Sequence, residues 1–328
     1  VIRRWGPTIS IAPGANKRRE NGPRENPALT SAAAVRSLPV QDTLRGIALM
    51  CGAFLLFSLL DSTAKLLGQS YPLTQVVWAR YAGHAAVAVV FMWLYWRQRP
   101  WRSRRPGLQV LRGLLLLAAT SCNFVALRHL QLAETAAIYF STPLLVAALS
   151  VPLLGERIGP RRLAAIVVGF AGVLIVIRPG FGLVHWAVGF SCLVALLGAF
   201  YQILTRKVAA HDSAHTAQLY AALIGCAATT PLMPLDWVMP QGFGIVLMVA
   251  IGLLGGLGHW LLTLAHAYAP APILAPFSYT QIVWMPVLGY LVFGNVPSPW
   301  VLLGGAIVVA SGLYLLHRER AAKILPPG

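Results

Sequence analysis

The chain has 328 residues, 57% of them hydrophobic and 11% charged, against roughly 25% charged in ordinary soluble domains. With 26 Lys and Arg, 9 Asp and Glu and a mean hydropathy of +0.69, it has too few charges to hold that apolar surface in water, which excludes a soluble globular fold and makes lipid the expected solvent. A net charge of +17 would point a soluble protein toward nucleic acid, but the basic residues lie in short segments between apolar runs, so nucleic acid is not an expected partner.

Residues 1–42, rich in Pro, Asn, Gly and Arg, read as a basic, disordered cytoplasmic tail. No apolar core precedes Leu44, so the segment lacks the pattern of a signal peptide. Residue 1 is Val and the first Met is Met50, which suggests an alternative or misplaced start. Apolar spans are predicted near residues 43–68, 73–96, 107–127, 131–154, 160–178, 185–208, 213–235, 241–268, 271–294 and 298–317. The fold class is therefore an all-α polytopic membrane protein with ten transmembrane helices. Residues 110–119 and 144–151 are apolar nearly throughout, which excludes the alternation of a membrane β-barrel strand.

Orientation follows from the basic residues. One side receives Arg97, Arg99, Arg102, Arg104 and Arg105, then Arg157, Arg161 and Arg162, then Arg206 and Lys207, and at the end Arg318, Arg320 and Lys323; the other receives Arg128 and Arg178. The positive-inside rule then puts both termini in the cytoplasm. The two halves, 43–178 and 179–328, resemble one another: Phe140-Ser141 leading to Leu154-Gly155-Glu156 is answered by Phe277-Ser278 leading to Phe293-Gly294-Asn295. Five spans per half is an odd number, so the second copy is inverted, the arrangement associated with alternating access.

These residues resemble the drug/metabolite transporter superfamily, in its ten-helix EamA-type members. The likeness is carried by residues 136–144 (Ala136 through Tyr139-Phe140-Ser141-Thr142-Pro143-Leu144), Leu153-Leu154-Gly155-Glu156-Arg157 and Gly169-Phe170-Ala171-Gly172-Val173. The second copy follows with Ala275-Pro276-Phe277, Leu288-Gly289-Tyr290 and Phe293-Gly294. It departs at Asn295, where the family's second repeat often carries Glu. The resemblance implies movement of small organic metabolites, such as amino acids, nucleosides, vitamins or S-adenosylmethionine, across a bacterial inner membrane.

Asp61 and Lys65 are four residues apart on the first span and so share a helix face. A charge at bilayer depth costs about 2.5–3.5 kcal/mol on insertion scales. Counted from the turn at Tyr71-Pro72, Asp61 and Arg80 lie about 16 and 12 Å deep at 1.5 Å per residue. The three charges are expected to meet as substrate or coupling-ion contacts, the alternative being a self-neutralising pair with Lys65 reaching outward. His84 lies one turn beyond Arg80, and His259, Thr263 and His266 share a face of the eighth span; they are proton relays or neutral packing groups. Spans four and nine are broken by Pro143 and Pro152 and by Pro272, Pro276 and Pro286. Tyr139, Ser141, Thr142, Tyr279, Thr280, Gln281 and Trp284 beside the breaks predict a polar, aromatic cavity.

The substrate-binding candidates are thus Asp61, Lys65, Arg80, His84, Tyr139, Tyr279, Gln281 and Trp284. Glu134 reads as a carboxylate at a helix start, Gly252 and Gly256 as a close-packing GxxxG, and Asp212 or Ser213 as a cap in preference to a metal site with His211 and His215. The four cysteines have no CxxC spacing, no cofactor or metal is expected, and no catalytic motif is present. The expected partners are a small-molecule substrate, the lipid bilayer and a coupling proton; the pattern sets no oligomeric state. The rival class is a membrane enzyme or lipid-handling protein, whose sign would be a cluster of His and carboxylates facing one leaflet.

Overall fold

The regular elements among the described residues are helical, as long apolar runs in hydrocarbon require, since each backbone N–H and C=O must then be satisfied inside its own segment. The computed structural model describes residues 40–94, 101–154, 159–179 and 184–324, all within one unit, Leu38–Gly328. The predicted tail up to residue 39, Arg97, Arg99 and the Gly155-Glu156-Arg157 stretch lie outside the described residues.

In chain order the helices are α1 (Val40–Leu67), α2 (Leu73–Leu94), α3 (Pro106–His129), α4 (Leu132–Tyr139), α5 (Thr142–Leu154), α6 (Pro160–Ile177), α7 (Ala187–Ala209), α8 (Ala214–Thr229), α9 (Phe243–Tyr268), α10 (Ala271–Leu274), α11 (Gln281–Phe293) and α12 (Pro299–Ile324). Among the described residues eight helical stretches are long and apolar enough to cross a membrane, α4 and α5 together forming one of them. The other two expected spans are helical but shortened. The first, α8, runs 16 residues before a 3₁₀ turn at Thr230–Leu235 that carries Pro231 and Pro234. The second is interrupted by a 3₁₀ segment, Ala275–Thr280, between α10 and α11.

Proline marks the break between α4 and α5 and the one before α11, and side-chain hydroxyls serve backbone carbonyls at each. Pro143 has no N–H to give the Tyr139 carbonyl; the Thr142 hydroxyl donates to it at 2.5 Å, and Ser141 Oγ donates to Ile138 O at 2.7 Å. At the second break Ser278 Oγ and Thr280 Oγ1 donate to Ala275 O and Phe277 O, each at 2.7 Å. The break in α4–α5 and the one before α11 therefore share one chemistry.

Packing follows the small residues. Gly83 of α2 and Gly252 of α9 face each other so closely that a Cβ at 83 would stand 2.5 Å from Gly252 Cα, and one at 252 would stand 2.6 Å from Gly83 Cα. Gly256 receives Val87 of α2, and Gly258 receives Phe57 of α1. Helix α9 thus takes α1 and α2 on two sides, in line with the GxxxG reading. Helix α3 likewise packs on both α7 and α8; α11 lies on α1 and α5 on α7; α2 meets α8, α4 meets α11, and α6 meets α12. Gly294 ends α11 in the left-handed region at φ +67, where its N–H reaches Tyr290 O (2.9 Å) and the Asn295 N–H reaches Gly289 O (3.0 Å), which is why glycine precedes Asn295.

Candidate functional site

Asp61, on α1, is 8% exposed. Its Oδ1 accepts from Asn123 Nδ2 of α3 at 2.9 Å, and its Oδ2 faces Gln281 Nε2, at the first turn of α11, at 3.5 Å. One carboxylate therefore ties elements from both halves of the chain. Arg80 and Tyr139 both lie within electrostatic reach of it.

The structure does not bring the three predicted charges together as ion pairs. Lys65, one turn beyond Asp61, donates through Nζ to Leu127 O at 2.7 Å and Leu130 O at 2.6 Å, and lies 5.5 Å from the Phe293 ring centroid. An ammonium with three donors is drawn to the carbonyls left open where α3 ends. Glu134, in the first turn of α4, is the acidic group that acts on it from nearby. Arg80 is 5% exposed and has no acceptor for Nε or Nη1. Its Cζ lies 4.3 Å from the centroid of the Tyr81 ring.

His84 stacks on His259 with centroids 4.9 Å apart and an interplanar angle of 4°. Phe57 meets His259 edge-on at 5.0 Å. Gln218 Nε2 of α8 donates to His259 O and Thr263 Oγ1, both at 2.9 Å. His266 stands apart, exposed, with Nδ1 2.8 Å from Leu262 O. Below the histidine pair a cavity of about 40 Å³ is lined by His84, Phe91, His215, Gln218, Trp260 and Thr263; that is room for a few water molecules and too little for a metabolite.

At the breaks, Phe140 joins the two halves: its ring lies 5.9 Å from that of Tyr139 and 5.0 Å from that of Tyr279. Tyr279 Oη and the half-buried Trp284 Nε1 have no hydrogen-bond partner. Sequence reasoning passed over Asn123, Phe140 and Gln218 as site residues, and also Arg112. Arg112 is buried on α3 and donates to Thr205 Oγ1 (2.8 Å), Ala217 O (2.7 Å) and Tyr201 Oη (2.6 Å). It was open to the same depth argument as Asp61, because it interrupts an apolar run.

Ser213 caps α8, accepting from the Thr216 N–H at 3.1 Å. Asp212 serves a different purpose: it accepts from Ser103 Oγ, from the Arg104 N–H at 2.7 Å and from Gln109 Nε2 at 2.8 Å, pinning the α7–α8 turn to the segment before α3. Burial alone would push its carboxyl up, but the Ser103, Arg104 and Gln109 hydrogen bonds outweigh it and hold the group below its ordinary value of 3.8. A depressed carboxyl stabilises the tie above the ordinary value and loses it as pH falls through the lowered one. Asp212→Asn is expected to speed trypsin cleavage after Arg102 and Arg104 at neutral pH. The thermal stability gap between wild type and variant should close as the medium is acidified below 3.8; a gap unchanged by acid would count against the tie.

The EamA-like transporter family model matches residues 44–178. The chain is 27% identical over 288 residues to an S-adenosylmethionine uptake transporter of Rickettsia bellii, covering 86% of this chain and 98% of the relative. It is 27% identical to a riboflavin transporter of Vibrio cholerae, covering 84% and 94%, and 27% identical to the pseudopaline exporter CntI of Pseudomonas aeruginosa, covering 86% and 99%. A solved crystal structure of a protein 19% identical in sequence shares the fold, with a TM-score of 0.60 over 86% of this chain and 99% of that one. With an EamA-like match over residues 44–178 and relatives matched along nearly their whole length, the chain is a multi-pass membrane protein similar to transporters of the drug/metabolite superfamily.

Proposed function

We propose that the protein is a secondary transporter that moves a small organic metabolite across a bacterial inner membrane by alternating access between two inverted five-helix repeats, residues 43–178 and 179–328. The observation that carries this reading is Asp61, a buried membrane carboxylate held by Asn123 of the first half and Gln281 of the second. Intramembrane ionisable groups tied in this way mark substrate and ion paths. The helix contacts favour the repeat: exchanging α1 for α7, α2 for α8, α3 for α9, α5 for α11 and α6 for α12 maps the pairs α1–α9, α2–α9 and α1–α11 onto α7–α3, α8–α3 and α7–α5. The basic ends at Arg104, Arg105, Arg161, Arg162, Arg206 and Lys207 support cytoplasmic termini. The named relatives handle small organic molecules in both directions, two by uptake or transport and one by export, which favours a transporter over an enzyme.

In this reading Asp61, Arg80, Tyr139, Tyr279, Gln281 and Trp284 contact the substrate. Lys65 stands toward the outer mouth, and His84 toward the inner half, where a coupling proton would pass. Proteoliposomes holding the purified protein are expected to accumulate a member of a metabolite panel that includes S-adenosylmethionine and riboflavin. Asp61→Asn should lower the initial rate about tenfold or more, the worth of one hydrogen bond to a charged group, with folded protein as abundant as wild type. Chemical conversion without accumulation would sink the reading.

A further inference from the structure

The segment that follows α8 is strapped to the first turns of α2. The Thr74 hydroxyl donates to Asp236 Oδ1 at 2.7 Å, and Trp78 Nε1 donates to Thr230 Oγ1 at 3.2 Å. Between them the Gln75 side chain donates to Val238 O at 2.8 Å and accepts from the Val238 N–H at 3.1 Å. One amide thus serves both backbone groups of a loop residue. Trp237 meets the Trp78 ring edge-on at 5.9 Å.

Beneath this strap an open groove of about 480 Å³ runs between α2 and α9, lined by Ala, Gly, Pro, Val, Ile, Leu, Met and Trp side chains. Nothing in that lining suits a polar metabolite. On α2 it follows the small-residue face Ala79, Ala82, Gly83 and Ala86, and on α9 it includes Val249 and Leu253, 57% and 44% exposed. From Trp78 to Ala86 the groove spans about 12 Å at 1.5 Å per residue, close to one leaflet of a hydrocarbon core about 30 Å thick. In hydrocarbon an apolar wall gains nothing from burial as such, so a lipid chain is held here by shape, through the added dispersion contacts of a trough over a flat wall, and by whatever stands at the mouth.

At the mouth, one turn before Trp78 along α2 and beside Trp237, stands the pair Thr74 and Asp236. Asp236 is exposed and is the one charged residue in the stretches 69–79 and 230–244. Among the described residues it makes no ion pair. A lone carboxylate at the interface attracts a head group that carries an ammonium and repels one with net negative charge. We propose that this groove is a lipid site that takes one acyl chain of a phospholipid with a primary ammonium head group, the chain lying along the Ala79–Ala86 face of α2 and the ammonium on Asp236.

The test is native mass spectrometry of the full-length protein in detergent, offered equal amounts of phosphatidylethanolamine and phosphatidylglycerol with the same acyl chains. Wild type is expected to retain one lipid per chain and to prefer phosphatidylethanolamine about threefold to fivefold, the range of an exposed ion pair. Asp236→Asn, which keeps an acceptor for Thr74 and removes the charge, should bring that ratio near one. Ala86→Leu, at an exposed position of the groove, should lower retention of both lipids with the melting temperature unchanged. Wild-type indifference to the head group, or a preference that survives Asp236→Asn, overturns the assignment of the ammonium. Retention in folded Ala86→Leu equal to wild type overturns the groove. A wild-type dimer that Ala86→Leu separates into monomers would give the groove to a second copy of the chain and overturn the lipid site. None of these readouts needs transport, so a failed uptake assay leaves the lipid site untouched.

Discussion

Gly83→Ala and Gly252→Ala are each expected to remove most of the folded protein from detergent extracts, while Gly189→Ala leaves the yield unchanged or slightly higher. In a helix interior alanine normally gains about 0.5–1 kcal/mol over glycine, so a loss at 83 and 252 cannot come from propensity. It comes from contact. The new methyl at 83 would stand 2.5 Å from Gly252 Cα and 2.9 Å from Gly252 C, and the one at 252 would stand 2.6 Å from Gly83 Cα and 2.9 Å from Ala79 O. These are backbone atoms, with no rotamer to swing aside, so the penalty should reach the top of the roughly 1–3 kcal/mol typical of overpacking, or pass it. At Gly189 nothing lies within 4 Å of the added carbon. Size-exclusion profiles and melting curves of the three variants check the order; equal yields would mean that α2 and α9 do not meet as described.

Arg112→Met should lower the melting temperature by several degrees, and Arg112→Lys should fail to restore it. The guanidinium is 4% exposed and serves α7 twice, at Thr205 and Tyr201, and α8 once, at Ala217 O. Its Cζ also lies 4.7 Å from the Tyr201 ring. Each buried polar group left alone costs about 1–3 kcal/mol. A lysine ammonium is a point donor on a flexible stem and cannot reproduce the planar fork that reaches all three acceptors. Wild-type stability in Arg112→Lys would show that the charge matters and the fork does not.

What was legible in the sequence is what depends on neighbours along the chain. Long apolar runs set the helices, Pro143 and Pro276 set the breaks, Gly252 and Gly256 signalled close approach, and Ser213 was open to reading as a cap because its partner is three residues away. Partners distant in sequence were not legible. Lys65 and Asp61 share a helix face, and periodicity alone suggests a pair, but the Lys65 acceptors lie 62 and 65 residues away and the Asp61 donors 62 and 220. Open carbonyls at the end of α3 outcompeted a carboxylate already held by amides. The helical completeness of span seven was overestimated for the complementary reason: apolar composition continues through residues 230–235, while the prolines there turn the backbone into 3₁₀ geometry.

The hydroxyl bonds at the two breaks have a mechanical consequence. Where a bent membrane helix borrows a donor from a neighbouring helix, changing the bend tears that bond and strands a carbonyl in hydrocarbon, at several kcal/mol. Here Thr142, Ser141, Ser278 and Thr280 reach back only three residues, across or within the break itself, so a change in the angle between α4 and α5, or between α10 and α11, pulls no donor away on another helix. Each break is a joint that brings its own lubricant, and bending it leaves the count of satisfied backbone groups where it was.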